Sequence, residues 1–364
     1  MNIALFTPNQ NPYSETFIQA HKKFLKGKVF YYYGKQPIQL EGASSLYSAK
    51  KLLPLRITAK LFRKPPSFIR ETVLLRSLKK NAIDVVLAEY GNHAHYILPI
   101  VKKLKLPLVV HFHGYDASNT AVIEKCHRYQ EVFLYASKVI AVSRKMESML
   151  LALGCPKEKL VYNVYGPQPE FMEVQPTYTK PQFLAVGRFV DKKAPYLSIL
   201  AFKEVLKHFP SARLLMAGNG PLEDACKNLV NYFQLERNVT FLGVIDAPKF
   251  RELLSESIAF VQHSITPTSG DMEGTPLSIL ESSAAGLPVI ATRHAGIPDV
   301  IVDGKTGLLC EELDVNSMTK NMVTLLNNPA VVHQMGAAGK ENIKLHFSLE
   351  RHIQVLQEVI ESAL

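Results

Sequence analysis

The chain has 364 residues, which is long for one hydrophobic core and suits two domains of average size. Hydrophobic residues make up 47% and charged residues 20% of the sequence, as in ordinary globular proteins. Its four cysteines lie far apart without metal-type spacing, so we expect reduced thiols. The first residues, MNIALFTPNQ, are typical of a buried strand and not of a secretory signal. No apolar run reaches the roughly 20 residues that span a bilayer, so we expect a cytoplasmic protein, at most peripheral on a membrane.

The net charge of +10 is concentrated in one segment. Residues 50–80 contain ten basic residues and a single acid, Glu71, interleaved with Leu, Ile and Phe. A basic amphipathic segment of this kind can bind the anionic inner face of the cytoplasmic membrane. The alternative is a solvated helical face. No nucleic-acid-binding motif is present, so we expect no nucleic-acid partner.

In the first half, short apolar runs alternate with longer helical patterns, which is typical of a parallel sheet with crossover helices. The predicted strands are 2–7, 85–90, 107–113 and 138–143. A helix follows and stops at Gly154, and residues 159–166 close this block. Four prolines within residues 166–181 then predict a linker, because proline fixes φ and removes a backbone donor.

After the linker the strand–helix alternation restarts. The predicted strands lie within 182–189, 212–220, 238–245, 258–264, 287–292 and 307–312, and the chain ends in a helical pattern. The sequence therefore predicts an α/β protein with two facing, doubly wound, Rossmann-like domains: residues 1–168, with helix 348–364 packing back on them, and residues 180–347. In such sheets ligands bind at the carboxyl ends of the strands, which here predicts a site in a cleft between the domains.

The stretch EGTPLSILESSAAGLPVIAT, residues 273–292, predicts a helix with an anion site at its start. Thr275 is expected to cap the helix and Pro276 to take its first position. The free N–H groups of Leu277 and Ser278, with the helix dipole, attract an anion. Gly274 permits close approach of a ligand, and Gly286 ends the helix.

Two acids flank this anion site. Glu273 precedes the helix and Glu281 lies two turns inside it, so a ligand touching both is long, with a central negative charge and hydroxyl-rich ends. A nucleoside diphosphate sugar has this shape, with ribose near Glu281 and hexose near Glu273. Arg188, Lys192 and Lys193, just after a predicted strand, can neutralise the diphosphate and stabilise it as a leaving group.

Four motifs in this order, GRFVDKKA, MAGNGPL, VTFLG and EGTPLSILESSAAGLPVIAT, resemble the donor-binding half of retaining glycosyltransferases of family 4, which have the GT-B fold. The resemblance implies Arg188 and Lys193 on the diphosphate, and Glu281 on the ribose. It places Glu273 and the backbone of Gly274, Thr275, Pro276 and Leu277 around the sugar and phosphate. It also implies donor contacts near Asn219 and Gly220, with nucleobase contacts from Gly243 and Val244. Asn219 stands where the family often has Asp, and Ala194 where it often has Gly. No metal ion or other cofactor is expected.

In the first half, HFHGYD ends an apolar strand, and the family has a similar motif. His113 is therefore the candidate near the donor sugar, while Asp116 either orients the loop or meets the acceptor. The usual Gly-Gly loop is replaced by PNQNPYSETFI, in the style of a subgroup that builds exopolysaccharide or lipid-linked glycans. Asn11, Ser14 and Glu15 are acceptor-side candidates, or Ser14 only caps a helix. A metal cluster of His93, His95 and His111 is not expected, because alternating strand positions point to opposite faces.

The sequence thus predicts a retaining, metal-independent transferase that moves a hexose-type sugar from a UDP- or GDP-sugar to a lipid-linked or polysaccharide acceptor. His113, Glu273, Arg188 and Lys193 are its predicted catalytic residues. Alternatives are a nucleotide-sugar epimerase or hydrolase of the same fold, and a non-catalytic two-lobed sugar-binding protein, which would need an export signal. A dehydrogenase is disfavoured because GxGxxG after the first strand is missing.

Overall fold

A computed structural model describes residues 1–10, 15–35, 37–43 and 46–364, without the side chains of 49–51. It divides into two compact units. The first comprises Met1–Val142, Met146–Asn163 and Ile353–Leu364, and the second comprises Ser143–Lys145 and Val164–His352. The proline-rich residues 166–181 lie in the second unit, where Pro169–Glu173 form a short 3₁₀ helix.

The first unit is built on a seven-stranded sheet in the order β3-β2-β1-β4-β5-β6-β7. The strands are β1 (Asn2–Thr7), β2 (Lys28–Tyr33), β3 (Gln39–Leu40), β4 (Val85–Glu89), β5 (Leu108–His111), β6 (Lys138–Ala141) and β7 (Leu160–Tyr162). All neighbours pair in parallel except β2 and β3. Strands β2 and β3 were not predicted from the sequence.

The helices of the first half cover this sheet. They are α1 (Thr16–Phe24), α2 (Ala49–Leu61), α3 (Phe68–Lys80), α4 (Gly91–Leu104), α5 (Tyr115–Ser118), α6 (Thr120–Lys125), α7 (Gln130–Tyr135) and α8 (Arg144–Ala152). Central strands such as β4 are buried on both faces, so their sequences are continuous apolar runs instead of alternating ones. These apolar runs are the reason that most of the strands could be predicted from the sequence.

The second unit has a six-stranded sheet, parallel throughout, in the order β10-β9-β8-β11-β12-β13. Its strands are β8 (Gln182–Val186), β9 (Arg213–Ala217), β10 (Val239–Phe241), β11 (Ala259–Gln262), β12 (Val289–Thr292) and β13 (Gly307–Cys310). Its helices are α9 (Pro195–Val205), α10 (Glu223–Tyr232), α11 (Ala247–Glu256), α12 (Leu277–Ala284), α13 (Ile297–Val300), α14 (Val315–Asn327) and α15 (Pro329–His346). Each of the six strands predicted for this half is present.

The last helix, α16 (Leu349–Glu361), places Leu356, Val359 and Ile360 in the core of the first unit, where they pack with Ile3 and Leu5 of β1. The four cysteines are buried and unpaired. None of the helices in the described part of the chain is long and apolar enough to cross a membrane.

Strand order fixes where each unit can hold a ligand. In the second sheet β9 lies on one side of β8 and β11 lies on the other. The order in which the chain adds strands to the sheet therefore reverses between β8 and β11. In the first sheet the same reversal falls between β1 and β4. Loops at the carboxyl ends of the two flanking strands diverge at such a point and leave a crevice.

Candidate active site

A pocket in the second unit lies at this reversal point. Its lining includes the ends of β8 and β11 and the loops that follow them, with Gly187, Arg188, Lys193, Gln262 and His263 among the lining residues. Arg188 and Lys193 belong to the loop after β8 and Gln262 ends β11, whereas the strands beneath contribute apolar groups such as Val261 and Met216. The predicted donor residues Arg188 and Lys193 therefore share one pocket.

Two glycines let the loops beside this pocket pack closely. A Cβ on Gly218 would lie 2.0 Å from the carbonyl oxygen of Gly187, and one on Gly220 would lie 2.4 Å from that of Phe189. Both have positive φ, at +127° and +154°. Asn219 between them accepts a hydrogen bond from the Phe189 N–H through its carbonyl. The AGNG motif is thus needed to hold the Arg188 loop against its neighbour.

The start of α12 differs from the prediction. The helix begins at Leu277, so Pro276 takes the N-cap position, and Thr275 does not cap it. Thr275 instead lies against Gly296, where an added Cβ would come within 2.4 Å of its hydroxyl. The backbone N–H groups of Leu277 and Ser278 donate to no described residue, and the anion site expected there stays a prediction. The helix ends as predicted, with the Leu287 N–H bonded to the Ser282 carbonyl just past Gly286.

Lys193 and Glu273 form a buried ion pair. Nζ of Lys193 lies 3.2 Å from Oε1 of Glu273, with side chains only 13% and 10% exposed. Burial acts to raise the pKa of Glu273, but Lys193, Lys192 and His294 outweigh it and hold the pKa at about 2. Burial lowers the pKa of Lys193 despite the nearby carboxylate. The predicted phosphate cation and sugar-side acid are thus partners in this structure.

Gln262, which the sequence analysis did not single out, connects this pair to α12. Its Oε1 accepts hydrogen bonds from Nζ of Lys193 at 3.2 Å and from the hydroxyl of Ser278 at 3.3 Å. The Lys193 ammonium therefore lies beside the first turn of α12, where the helix N–H groups are free to bind an anion. Gln262 is a polar residue at the carboxyl end of the apolar strand β11, and this position could have indicated a site residue from the sequence.

The segment before α12 is fixed from two sides. Lys192, 6% exposed, bonds to Oδ1 of Asp271 at 2.8 Å and to the Met272 carbonyl at 3.2 Å. Nε2 of the buried His294 accepts the Glu273 N–H at 3.1 Å, and its Nδ1 lies 2.6 Å from Oε1 of Glu312. Because Nε2 accepts, Nδ1 carries the proton that is donated to Glu312. Glu273 is thus fixed through its backbone as well as its side chain.

Arg188 contrasts with the two lysines. Its guanidinium is exposed and forms no hydrogen bond or ion pair with any residue in the described ranges. It lies close enough to Lys193 to lower the pKa of that ammonium. After β10, two strands from β8 in the sheet, the Gly243 carbonyl accepts the Gly218 N–H at 2.7 Å, and Val244 is 47% exposed. The nucleobase contacts expected from Gly243 and Val244 stay a prediction.

Glu281 lies on the second turn of α12. No described residue donates a hydrogen bond to its carboxylate or pairs with it. Desolvation raises its pKa to about 8. A half-buried acid without donors is costly unless a ligand supplies them, and vicinal hydroxyls are suitable donors.

The first unit contains a second polar cluster, centred on Glu89 at the carboxyl end of β4. Its Oε1 lies 2.7 Å from Nδ1 of His21 and its Oε2 lies 2.7 Å from Nε2 of His113. His111 Nδ1 lies 3.4 Å from Oε2. Burial acts to raise the pKa of Glu89, but the three histidines hold it well below its usual range, so the ionised carboxylate accepts hydrogen bonds from both His21 and His113.

Asp116 orients the loops around His113. It is fully buried, and its carboxylate accepts the N–H of Gly91 at 2.6 Å and that of His113 at 2.9 Å. These contacts favour loop orientation over the alternative of an acceptor contact. Glu15 takes the N-cap position of α1 and accepts a hydrogen bond from the Tyr90 hydroxyl at 2.8 Å. Asn11 and Ser14 lie outside the described residues.

The expected geometry of three other histidines was wrong. His93 and His95 lie on helix α4, not on a strand, so strand alternation does not separate them from His111. Burial lowers the pKa of His93 to about 3. In the described part of the chain, the group whose ligand atoms come within 4.8 Å of one another is His21, Glu89 and His111. Its carboxylate is already bonded to imidazoles, which accounts for this grouping without a metal ion.

Comparison with known proteins decides the family. Residues 41–163 match the model for Glycosyltransferase Family 4, and residues 167–342 match the model for Glycosyl transferases group 1. The chain belongs to glycosyltransferase family 4. Together the two matched ranges include most of both units.

Two curated relatives of this glycosyltransferase are named for exopolysaccharide biosynthesis. The amylovoran biosynthesis glycosyltransferase AmsK of Erwinia amylovora is 27% identical over 79% of this chain and 72% of its own length. The putative colanic acid biosynthesis glycosyltransferase WcaL of Escherichia coli is 29% identical over 58% of this chain. The match spans 53% of the length of WcaL.

Solved structures show the fold. Anabaena HepE, crystallised in complex with UDP-glucose, superposes with a TM-score of 0.79 at 14% identity and full coverage of both chains. This glycosyltransferase therefore has the GT-B fold of two parallel-sheet Rossmann-like domains, as predicted. The family models and relatives also support a role in polysaccharide or glycolipid synthesis.

The raised pKa of Glu281 predicts a pH-dependent stability. In the unfolded chain this group ionises near 4.5, but in the folded glycosyltransferase it stays protonated up to about 8. Stability from the protonated form is therefore fully present below pH 4.5 and is lost as pH rises towards 8. We expect Glu281→Gln to raise the melting temperature relative to wild type by an amount that grows across this window and then levels off. Thermal melts from pH 5 to 9 measure this difference in melting temperature, with substitution of the exposed Glu236 by Gln as control. A difference that stays constant with pH would contradict the prediction.

Proposed function

We propose that this glycosyltransferase moves a hexose-type sugar from a UDP- or GDP-sugar to a hydroxyl of a lipid-linked or polysaccharide acceptor, with retention and without a metal ion. The observation that carries the donor assignment is the position of the Lys193 ammonium, which Gln262 holds beside the first turn of α12. A cation, a helix start with free N–H groups and the exposed Arg188 together form a diphosphate site.

The chemistry follows from where charge develops. When the bond between the anomeric carbon and the β-phosphate oxygen breaks, negative charge grows on the departing diphosphate. Arg188, Lys193 and the N–H groups of Leu277 and Ser278 stabilise that charge, so no cation has to be recruited. The acceptor hydroxyl attacks from the same face, and the leaving phosphate oxygen takes its proton. No protein nucleophile is required.

The acids bind the two ends of the donor. Glu281, which lacks donors in the protein, accepts hydrogen bonds from the ribose hydroxyls. Glu273, with the backbone of Gly274 to Leu277, contacts the sugar and phosphate. His113, oriented by Glu89 through its Nε2–H, hydrogen-bonds a sugar hydroxyl or stabilises charge at the reacting carbon. Because AmsK and WcaL are named for exopolysaccharide synthesis, we propose an acceptor of that class.

Binding and turnover separate the roles of the two acids. We expect Glu281→Ala to weaken binding of UDP or GDP by roughly 10- to 100-fold, because two ribose hydroxyls lose the carboxyl group that accepts their hydrogen bonds. Glu273→Ala is expected to change nucleotide affinity only slightly and to reduce kcat with the sugar donor. Calorimetric titration with each nucleotide and initial rates with a panel of nucleotide sugars measure both effects. Wild-type affinity and rates in both variants would refute the donor assignment.

A companion assay distinguishes transferase from hydrolase or epimerase. The wild-type protein is incubated with its preferred nucleotide sugar, with and without membrane-extracted acceptor, and again with EDTA. Product that depends on acceptor, persists in EDTA and keeps the anomeric configuration of the donor supports the proposal. Rapid loss of donor without acceptor would favour a hydrolase or epimerase instead.

A further inference from the structure

Helix α2 carries an apolar stripe on its exposed side. Leu53, Ile57 and Leu61 are 61%, 59% and 73% exposed, and Phe62, which follows the helix, is 63% exposed. The three helical residues are spaced at i, i+4 and i+8 and therefore share one face over two turns. Exposed apolar residues are common singly, but a contiguous row on one helix marks an interaction surface.

The opposite face of α2 is already packed. Leu52 and Leu55 are 7% and 4% exposed and form a small core with Val73 of α3. Leu53, Ile57 and Leu61 therefore do not belong to the core of the first unit. Residue 52 and residue 55 lie at roughly 100° and 160° from residue 53 around the helix axis, which directs the stripe away from α3.

Cations border the stripe. Arg56, Lys60, Arg63 and Lys64 are exposed, and none forms an ion pair with a residue that the structure describes. Across residues 46–80 the sequence has ten basic residues and one acid. A row of apolar side chains flanked by free cations is complementary to a bilayer with anionic headgroups, and it is less suited to a protein partner or to a nucleic acid, which would leave the apolar row exposed.

We propose that α2 lies flat in the headgroup region of an anionic membrane, with Leu53, Ile57, Leu61 and Phe62 inserted between acyl chains. The four neighbouring cations contact lipid phosphates. At 13 residues α2 is about 20 Å long, enough to lie along the surface and too short to cross it. The use of this membrane contact in the reaction rests on the lipid-linked acceptor proposed above. The membrane contact itself does not depend on that acceptor.

Tryptophan fluorescence offers a direct test, because the chain contains no tryptophan. Phe62→Trp places a single reporter at the end of the stripe, and Tyr232→Trp places one at an exposed site of the second unit that is 79% exposed. The vesicles contain phosphatidylcholine with roughly 30% of the anionic lipid phosphatidylglycerol. They should shift the emission of Phe62→Trp to the blue and leave that of Tyr232→Trp unchanged. Brominated acyl chains should quench only the first reporter. No shift in Phe62→Trp would overturn the proposal.

Sedimentation with the same vesicles separates the apolar and the charged contributions. Replacing Leu53, Ile57 and Leu61 by Ser keeps the charge and should weaken binding at least tenfold. Replacing Arg56, Lys60 and Lys64 by Gln should lower it roughly fivefold per cation and remove the preference over pure phosphatidylcholine. The matched control replaces the exposed Leu134, Tyr232 and Leu345 by Ser and should bind like wild type.

Nucleotide binding keeps this test independent of the transferase assignment. Every variant should bind UDP or GDP like wild type, which also shows that it is folded. If the stripe variant still binds vesicles, or if it only changes the oligomeric state, the membrane proposal fails while the transferase proposal stands. Equal binding of the protein to duplex DNA and to vesicles, with no effect of the Ser variant, would likewise overturn it.

Discussion

Arg188→Ala is expected to reduce kcat/KM for the sugar donor by roughly 100- to 1,000-fold without lowering the melting temperature. Removing one preorganised hydrogen-bond donor that stabilises a developing anion typically lowers the reaction rate by this factor. The fold does not depend on this side chain, because the guanidinium is exposed and bonds to no described residue. Steady-state kinetics and thermal melts of the same preparation measure both quantities.

Two further variants make this result specific. Arg188→Lys should recover part of the activity, since an ammonium keeps the charge but not the paired hydrogen bonds of a guanidinium. Arg213→Ala removes an exposed arginine at the amino end of β9, on the opposite edge of the sheet from the donor site, and should leave both quantities at wild-type values. Full activity in Arg188→Ala would remove this residue from the diphosphate site.

The sequence was sufficient for most of the second unit because its strands are apolar and its central strands β11 and β12 are fully buried. The strands β8, β9, β11 and β12 are apolar runs that end in polar or glycine-containing loops, and those loops hold the donor motifs. The missed strand β2, KVFYYY, is half buried and rich in tyrosine, so it lacked an apolar run. Its bounding residues Gly27 and Gly34, both with positive φ, were the signal that was overlooked.

Long-range pairing of charges was not predictable from one sequence. Lys193 and Glu273 are 80 positions apart, and each was assigned to a ligand instead of to the other. Glu89 lay inside the predicted strand 85–90 with no assigned role, yet His21 and His113 approach its carboxylate from α1 and from the loop after β5. Likewise, the exposed stripe of α2 depends on which face packs against α3. Such partners are brought together by topology, which periodicity does not specify.

The Lys193–Glu273 pair should couple stability to activity. Lys193→Met removes the cation beside α12 and leaves Glu273 buried without its partner, so we expect near-complete loss of transfer and a loss of about 3–5 kcal/mol in the free energy of unfolding. Adding Glu273→Gln to Lys193→Met removes the uncompensated charge. The double variant should therefore regain most of the stability, because an unpaired charge costs more than a neutral pair of similar volume.

Activity should not return in the double variant. If Lys193 serves only to neutralise Glu273, removing both charges would restore nucleotide affinity along with stability, although transfer stays low without the Glu273 carboxylate. If Lys193 binds the diphosphate, the double variant keeps a weakened nucleotide affinity while it folds like wild type. Chemical denaturation and donor titration of wild type, both single variants and the double variant complete the cycle. Recovery of nucleotide affinity in the double variant would show that the cation acts on the carboxylate and not on the phosphates.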